Sequence, residues 1–298
     1  MGFFKKISTV AAGIGLAVAI AGGAQASVSS LLTNGLNAFD DLSGDFVLRR
    51  TGGTPTSPFA GFDLVTGTMA TGDLIATVVS IENVNGTAVS STGSELTGVV
   101  LQEITGITLI PALGTPTSGV VTLGPSTSAA ADFLTIFGVD ITVGPTAGLG
   151  TAPMLLLFED TAGDLDLVLQ DALTAIGNAA DGTLAAAASV VGVTDGQSYT
   201  GETDLSSFPP APGVSGGGFN FFYTVQFWGL SGTPISQLTG SGNILLPNTI
   251  FTGPGGFPFE DNFDGNVSLF LVPAPGTVGL LGLGLLGLGA ASQRRRKA

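Results

Sequence analysis

Carboxylates are the side chains of this chain that could carry acid–base or metal chemistry. The sequence contains 22 acidic residues and 8 basic residues, and it has no histidine and no cysteine. Many of the acidic residues fall into three close groupings. These are Asp40, Asp41 and Asp45; Glu159, Asp160, Asp164 and Asp166; and Asp261, Asp264 and the amide residue Asn266. Closely spaced oxygen ligands are what Ca²⁺ requires, and it takes about six to eight of them.

The best calcium candidate is the third grouping, Asp261, Asp264 and Asn266. Its oxygen-bearing side chains stand on both sides of Gly265, in a predicted turn just before a predicted strand. No grouping has the Asp-x-Asx-x-Asx-Gly spacing of an EF-hand calcium loop. A solvated acidic turn is the alternative for each of them. We therefore expect no cofactor, with calcium at this position as the exception to test.

Missing residue types exclude most enzyme chemistries. Without histidine and cysteine there is no Ser-His-Asp or Cys-His machinery, no thiolate zinc site and no disulfide. Two carboxylates could act as the acid–base pair of a glycosidase. Such enzymes usually add aromatic platforms with polar edges, and this chain has 1 Trp and 2 Tyr. We predict a protein that is not an enzyme.

Binding of a polysaccharide is the alternative function that the residues leave open. Residues 219–228 alternate, with Phe219 and Phe221 on one face and Asn220, Gln226 and Trp228 on the other. An exposed Trp228 could stack on a sugar, with the two amide side chains beside it. The competing interpretation is that Trp228 packs beneath a helical segment.

Short strands are the elements that would position these residues. Turn-forming glycine, proline and asparagine recur through the body, and apolar runs rich in β-branched and aromatic residues lie between them. The runs are 45–49, 74–81, 99–110, 120–123, 133–143, 153–158, 219–228, 235–246 and 267–272. This pattern predicts an all-β fold, a β-sandwich or jelly-roll-like body.

The region 165–193 departs from the strand pattern. Leu165, Leu169, Leu173 and Ile176 recur at helical spacing, and an alanine run follows at 185–188. We predict a helical insert over the sheet, with Asp164 as its N-cap.

Residues 1–26 have the three parts of a secretory signal peptide. Two lysines precede an apolar run at 7–21, and Ala24 and Ala26 form a small-x-small cleavage site. We expect export by the general secretion machinery and cleavage by signal peptidase before Ser27. The alternative is an uncleaved N-terminal anchor, but the apolar run is short for a spanning helix.

The region 272–298 forms a second removable end with three parts in order. They are the motif residues Val272, Pro273, Ala274 and Pro275, a Gly/Leu-rich run at 278–291, and the basic residues Arg294, Arg295, Arg296 and Lys297. As a helix, this apolar run is about 21 Å long, shorter than the roughly 30 Å hydrocarbon core of a bilayer. We expect a transient transmembrane helix whose basic end stays in the cytoplasm.

This tail resembles the PEP-CTERM sorting signal, which exosortases read in Gram-negative bacteria. Ala274 stands where the family usually has glutamate, so the motif is a Pro-Ala-Pro variant. The resemblance implies an inner-membrane intermediate, cleavage near 273–275 by an exosortase, and delivery to the outer surface or the extracellular polysaccharide matrix of a biofilm. A simple C-terminal membrane anchor is the alternative.

Removing both ends leaves a strongly acidic body. Between residues 27 and 271 the chain has 2 basic and 22 acidic residues, a formal charge of −20. Such a charge repels nucleic acid and anionic membrane surfaces. The predicted organisation is therefore a signal peptide at 1–26, an acidic β-sandwich body at 27–271 and a sorting signal at 272–298.

Overall fold

The computed structural model describes residues 28–32, 35–52, 57–110, 117–143, 152–189, 196–203, 217–227, 235–247, 250–253 and 255–269. Within these ranges, side chains are described for 30–32, 36–52, 57–108, 121–143, 152–189, 250–253, 255–260 and 266. The predicted signal peptide, Trp228 and the sorting tail from Val272 onward lie outside the described residues.

Antiparallel strands make up most of the described body, which confirms the predicted all-β class. The strands are β1 Gly35–Arg50, β2 Phe62–Leu64, β3 Leu74–Val84, β4 Thr87–Ala88, β5 Glu95–Ile110, β6 Thr117–Gly124, β7 Leu155–Asp160, β8 Thr183–Ser189, β9 Gly196–Thr203, β10 Gly217–Phe227, β11 Ile235–Pro247 and β12 Phe259–Leu269. The α-helices are α1 Ala129–Phe137 and α2 Ala172–Ala179, and two 3₁₀ turns span Val28–Leu31 and Val89–Thr92.

Hydrogen-bonded pairing closes the sheet on itself. The path runs β3-β1-β12-β11-β10-β8-β7-β5 and returns to β3, because β3 pairs with both β1 and β5. A branch formed by β6 and β9 joins β5 to β10 along another part of these two strands. Register shifts in β1, β5, β7 and β11 mark bulges, which increase local twist and help a sheet to curve.

The inner face of this closed sheet holds one continuous apolar core. Val47, Ile75, Ile104 and Leu157 all belong to it and are buried. Leu31 and Leu32, which follow the first 3₁₀ turn, pack against the same core at one end. Opposite sides of the sheet therefore share a core, as in a sandwich.

A second apolar cluster covers the outer face of β1, β3, β5, β7 and β8. Phe133 of α1 and Ile176 of α2 pack in it together with loop residues Phe251 and Phe257. Gly44 of β1 lies directly beneath Phe257, and a Cβ at that position would lie 2.4 Å from the ring. The glycine therefore allows the aromatic ring to lie flat on the strand.

Two of the sequence-based element predictions were wrong in detail. The run 133–143 belongs largely to helix α1, whose buried residues Ala129, Phe133, Ile136 and Phe137 follow helical spacing and which ends at Gly138 with a φ of 71°. In the region 165–193, helix α2 is confirmed but is short, and Asp171 rather than Asp164 accepts the capping hydrogen bond.

The alanine run at 185–188 is part of strand β8 and not of a helix. Its residues 186–188 are buried between β7 and β10, with which β8 pairs. Ala186 and Ala188 pack in the inner core, and Ala187 packs in the helix-covered cluster, so both faces of this strand are buried. Tertiary packing has therefore overridden the high helix propensity of alanine.

Candidate functional site

Three carboxylates meet where β5 begins and β7 ends. Glu95, the first residue of β5, is the register partner of Asp160, the last residue of β7. Gly163 adopts a φ of 64° and turns the chain back, so that Asp164 joins the pair. One carboxylate oxygen from each of the three lies within 4.8 Å of the others. We call Glu95, Asp160 and Asp164 the carboxylate cluster.

Hydrogen bonds hold the loop of the carboxylate cluster in place. The backbone N–H of Leu165 donates to Oε2 of Glu95 at 3.3 Å, while Oε1 of Glu95 is buried and has no hydrogen-bond partner. The side-chain amides of Gln170 and Asn178 both donate to the backbone carbonyl of Asp164, at 2.6 and 2.9 Å. These two hydrogen bonds fix the backbone of Asp164 in the loop.

Burial and like charge disfavour the ionised forms of Glu95 and Asp181. Burial raises the pKa of Glu95 above its usual value, backbone N–H groups at Leu165 and Asp164 oppose the shift, and repulsion from Asp164 and Asp160 adds to it. Burial, followed by repulsion from the same two aspartates, also raises the pKa of Asp181. Four acidic side chains therefore interact at this corner of the sheet.

The carboxylate cluster has the donor chemistry of a hard cation such as Ca²⁺. Carboxylates supply oxygen ligands, and a cation would offset their repulsion. The sequence grouping at 159–166 identified Asp160 and Asp164 but missed Glu95 and Asp181. No local signal could have found Glu95, because only the β5–β7 register brings it to Asp160.

The other predicted calcium candidates lie inside strand β12, so the predicted turn at Asp261 and Asp264 was wrong. Asp261 is opposite Ser43, and Asp264 is opposite Asp40. Asp261 and Asp264 are three positions apart in the strand, and this odd offset puts the two on opposite faces of the sheet. Asn266 shares a face with Asp264 and not with Asp261.

The first acidic grouping is also divided between the two faces. Asp40 is exposed on the outer face, where its Oδ2 accepts a hydrogen bond from Asn83 Nδ2 at 3.0 Å. Asp45 is fully buried on the inner face and accepts a hydrogen bond from the Thr77 hydroxyl. The first and third sequence groupings meet at the register pair Asp40 and Asp264.

That pair begins a row of polar residues that crosses six neighbouring strands. Successive register partners are Asp40 of β1, Asp264 of β12, Ser241 of β11, Asn220 of β10, Ser198 of β9 and Thr122 of β6. Register partners share a face, and the two end residues Asp40 and Thr122 are exposed, so this polar row belongs to the outer face. We call these six residues the polar row.

Both arginines of the body form ion pairs at the opposite end of β1. Arg49 pairs with Asp73 at 2.7 Å, and Arg50 contacts Glu103 at 3.1 Å and Asp132 of α1 at 2.6 Å. Burial opposes ionisation of Glu103, but hydrogen bonds from Thr127 and Arg50 outweigh it and lower its pKa below the usual value. Arg50 fastens α1 to the sheet through Asp132, and both arginines are paired with carboxylates of the body.

The sorting tail follows the fold with almost no connecting chain. Leu269 is the last residue of β12 and the register partner of Gly35, the first residue of β1. Pro273 follows four residues later. Among the described residues, no helix is long and apolar enough to cross a membrane.

Comparison with known proteins identifies this tail. The described body shows the all-β class alone, whereas residues 271–296 match the PEP-CTERM protein-sorting motif. The motif indicates an exported protein of a Gram-negative bacterium that is sorted to the cell surface, with an exosortase as its processing partner. No curated protein and no solved structure matches the chain.

Proposed function

We propose that the protein is a non-enzymatic structural component of the outer surface or extracellular matrix. Signal peptidase releases it before Ser27, and an exosortase cuts near Pro273–Pro275 after transient insertion of the tail in the inner membrane. The observation that carries this proposal is the sorting motif at 271–296, joined directly to a closed, acidic β body. A formal charge of −20 favours solubility and spacing from other anionic components after release.

Intact mass of the protein from envelope and culture-medium fractions tests the proposal. We expect a species that begins at Ser27 and ends near Pro275. The double variant Pro273→Ala, Pro275→Ala should retain the tail, because the extended peptide offered to the protease is lost. Ala274→Glu is the matched control and should be processed at least as well as the parent. A secreted mature form that keeps 294–297 would overturn the proposal.

A second candidate function is binding of extracellular polysaccharide by the polar row. Amide, hydroxyl and carboxylate groups at strand spacing match the repeated hydroxyls of a sugar chain, and Trp228 follows directly after β10, which contributes Asn220 to the row. The row starts on β1 and continues over β12, β11, β10, β9 and β6, so an extended polymer could run across several strands.

Retention of the protein on immobilised matrix polysaccharide tests this second function. We expect Trp228→Ala and Asn220→Ala each to weaken binding by about tenfold, the loss that one hydrogen-bonding or stacking group commonly causes. Thr135→Ala, on the exposed side of α1, is the control and should bind like the parent. Equal retention of all variants would exclude the row as the binding surface, and hydrolysis of the polysaccharide would contradict the non-enzymatic assignment.

A further inference from the structure

Both ends of the body leave the sheet at the same place. Gly35 and Leu269 are register partners, so the first and last strands start and finish side by side. Asn85, in the turn between β3 and β4, fastens the N-terminal side. Its backbone N–H donates to the Ala38 carbonyl at 2.8 Å, and its side-chain amide donates to the Leu31 carbonyl at 3.0 Å.

Four stretches of chain at this end contain no charged residue. They are residues 28–32, 35–39, 83–94 and 265–269, which we call the neutral end. The acidic residues that border these segments along the chain are Asp40, Glu82, Glu95 and Asp264. Strand β3 ends, β5 begins and β7 ends at this end of the closed sheet, so the carboxylate cluster lies beside the neutral end, on the β5–β7 side. In contrast, the other end of β1 carries Arg49 and Arg50 with their acidic partners.

The short segment between β12 and the apolar run limits the distance between the neutral end and a membrane that holds the tail. The apolar run begins at Val278, nine residues after Leu269. Fully extended, nine residues reach about 31 Å, and the four residues from Leu269 to Pro273 reach about 14 Å. Strand β12 has 11 residues, a length of about 37 Å, so the opposite end cannot be the one that faces the membrane.

We propose that the neutral end is the surface that the body turns toward the phospholipid surface of the inner membrane while its tail is processed. This inference rests on the proposed function, because an anchored tail is what orients the body. Absence of charge lets the neutral end approach an anionic bilayer, whereas the carboxylate cluster beside it and the rest of the body, which carries a formal charge of −20, are repelled. Leu36, which is 67% exposed on β1, lies at this end and offers an apolar contact.

Single cysteines can report the orientation, because the natural chain has none. Ser90→Cys labels the neutral end, and Ala130→Cys labels an exposed position of α1, which Asp132 ties to Arg50 at the opposite end. The full-length chain is inserted in vesicles of mixed zwitterionic and anionic phospholipid, and each fluorophore is quenched from the lipid headgroups. We expect strong quenching at position 90 and weak quenching at position 130.

Equal quenching, or stronger quenching at position 130, would overturn the orientation while leaving the proposed function intact. A chain that does not float with the vesicles at all would instead contradict the membrane-held tail, and both proposals with it. Circular dichroism and the melting temperature of each labelled chain verify that the fold is retained.

Charge reversal of the same surface provides a second, independent measurement. The pair Thr87→Glu and Ser90→Glu adds two charges to exposed positions of the neutral end, and Ala130→Glu with Ala131→Glu adds the same two to α1. With exosortase in the vesicles, we expect tail cleavage to slow by about tenfold for the first pair only, through repulsion from the anionic lipid. An equal rate for both pairs would contradict the proposal.

Discussion

The outer face of the sheet has two regions, one apolar and one polar. On β1, β3, β5, β7 and β8 it is apolar and is covered by α1, α2 and aromatic loop residues. Along the polar row, from β1 through β12 to β6, register partners carry carboxylate, amide and hydroxyl groups instead. The same backbone pairing thus supports two different tasks. Packing on the helix-covered side stabilises the fold, and the polar row is left for contact with solvent or a partner.

The helix-covered side should show the largest effects of mutation. Phe133 is fully buried in α1, and Phe133→Ala should lower the free energy of unfolding by about 3–5 kcal/mol, because it leaves a cavity against the sheet. Its neighbour Leu134 is 55% exposed, so Leu134→Ala should cost no more than about 0.5 kcal/mol. Urea denaturation of the secreted protein measures both, and similar losses would show that α1 does not pack on the sheet as described.

Loss of the ion pairs at Arg50 should have the next largest effect. Arg50→Gln removes a partner from both Glu103 and Asp132, two largely buried carboxylates, and should cost about 2 kcal/mol after allowance for the partial exposure of Arg50. Arg50→Lys keeps the charge but loses the forked geometry, so it should fall between the parent and Arg50→Gln.

The pH dependence of stability separates this ion pair from simple packing. Because the folded-state pKa of Glu103 is lowered, its stabilisation is complete above the unfolded-state pKa and is lost as the pH falls through the folded-state pKa. The acid limb of the stability curve should therefore be shallower in Glu103→Gln than in the parent. An unchanged acid limb would contradict the role of Glu103.

A smaller effect is expected at Asn85, which belongs to the neutral end. Asn85 has a φ of 55°, and its side chain bonds Ala38, Leu31 and Asn37. Asn85→Gly keeps the backbone conformation but loses these bonds, at a cost of about 1 kcal/mol because they are partly exposed. Asn85→Ala should cost about 1 kcal/mol more, since alanine disfavours positive φ. Equal stabilities for the two variants would show that neither the turn conformation nor its strain matters.

The sequence was sufficient to locate strands where the alternation of side chains and the flanking turn residues indicate the same boundaries. The runs 74–81 and 235–246 lie within β3 and β11, and Asn85-Gly86 forms the predicted turn. It was insufficient where packing decides the structure. Ala186 and Ala188 have strong helix propensity, yet they form a strand because only small side chains fit between β7 and β10.

The candidate sites could be predicted only in part, because strand pairing brings together residues that lie far apart in the sequence. Asp160 and Asp164 are neighbours in the sequence, but Glu95 reaches them through the β5–β7 pairing, and Asp40 reaches Asp264 through the β1–β12 pairing. A single sequence carries no signal for such partners. The sorting tail could be recognised from residues alone, because its parts are contiguous and do not depend on the fold.

The smallest expected effect, and the one with the opposite sign, is at the carboxylate cluster. Because the folded-state pKa of Glu95 is raised, the cluster is most favourable below the unfolded-state pKa, and that advantage is lost as the pH rises through the folded-state pKa. Glu95→Gln removes the charge, and its amide can accept the Leu165 N–H bond while directing N–H groups toward Asp160 and Asp164. At pH 7 it should therefore stabilise the protein by less than about 1 kcal/mol.

If the cluster binds Ca²⁺, added Ca²⁺ should stabilise the parent and not Glu95→Gln. The response to Ca²⁺ therefore distinguishes a cation site from a solvated acidic corner. With EDTA present, Glu95→Gln should melt above the parent, since only repulsion is removed. If a cation binds there, added Ca²⁺ should raise the melting temperature of the parent and not that of the variant, because ligand binding to the folded state stabilises it. Glu82→Gln, at an exposed position of β3, is the matched charge control and should follow the parent under both conditions. Equal responses of parent and Glu95→Gln to Ca²⁺ would leave the cluster as a solvated acidic corner.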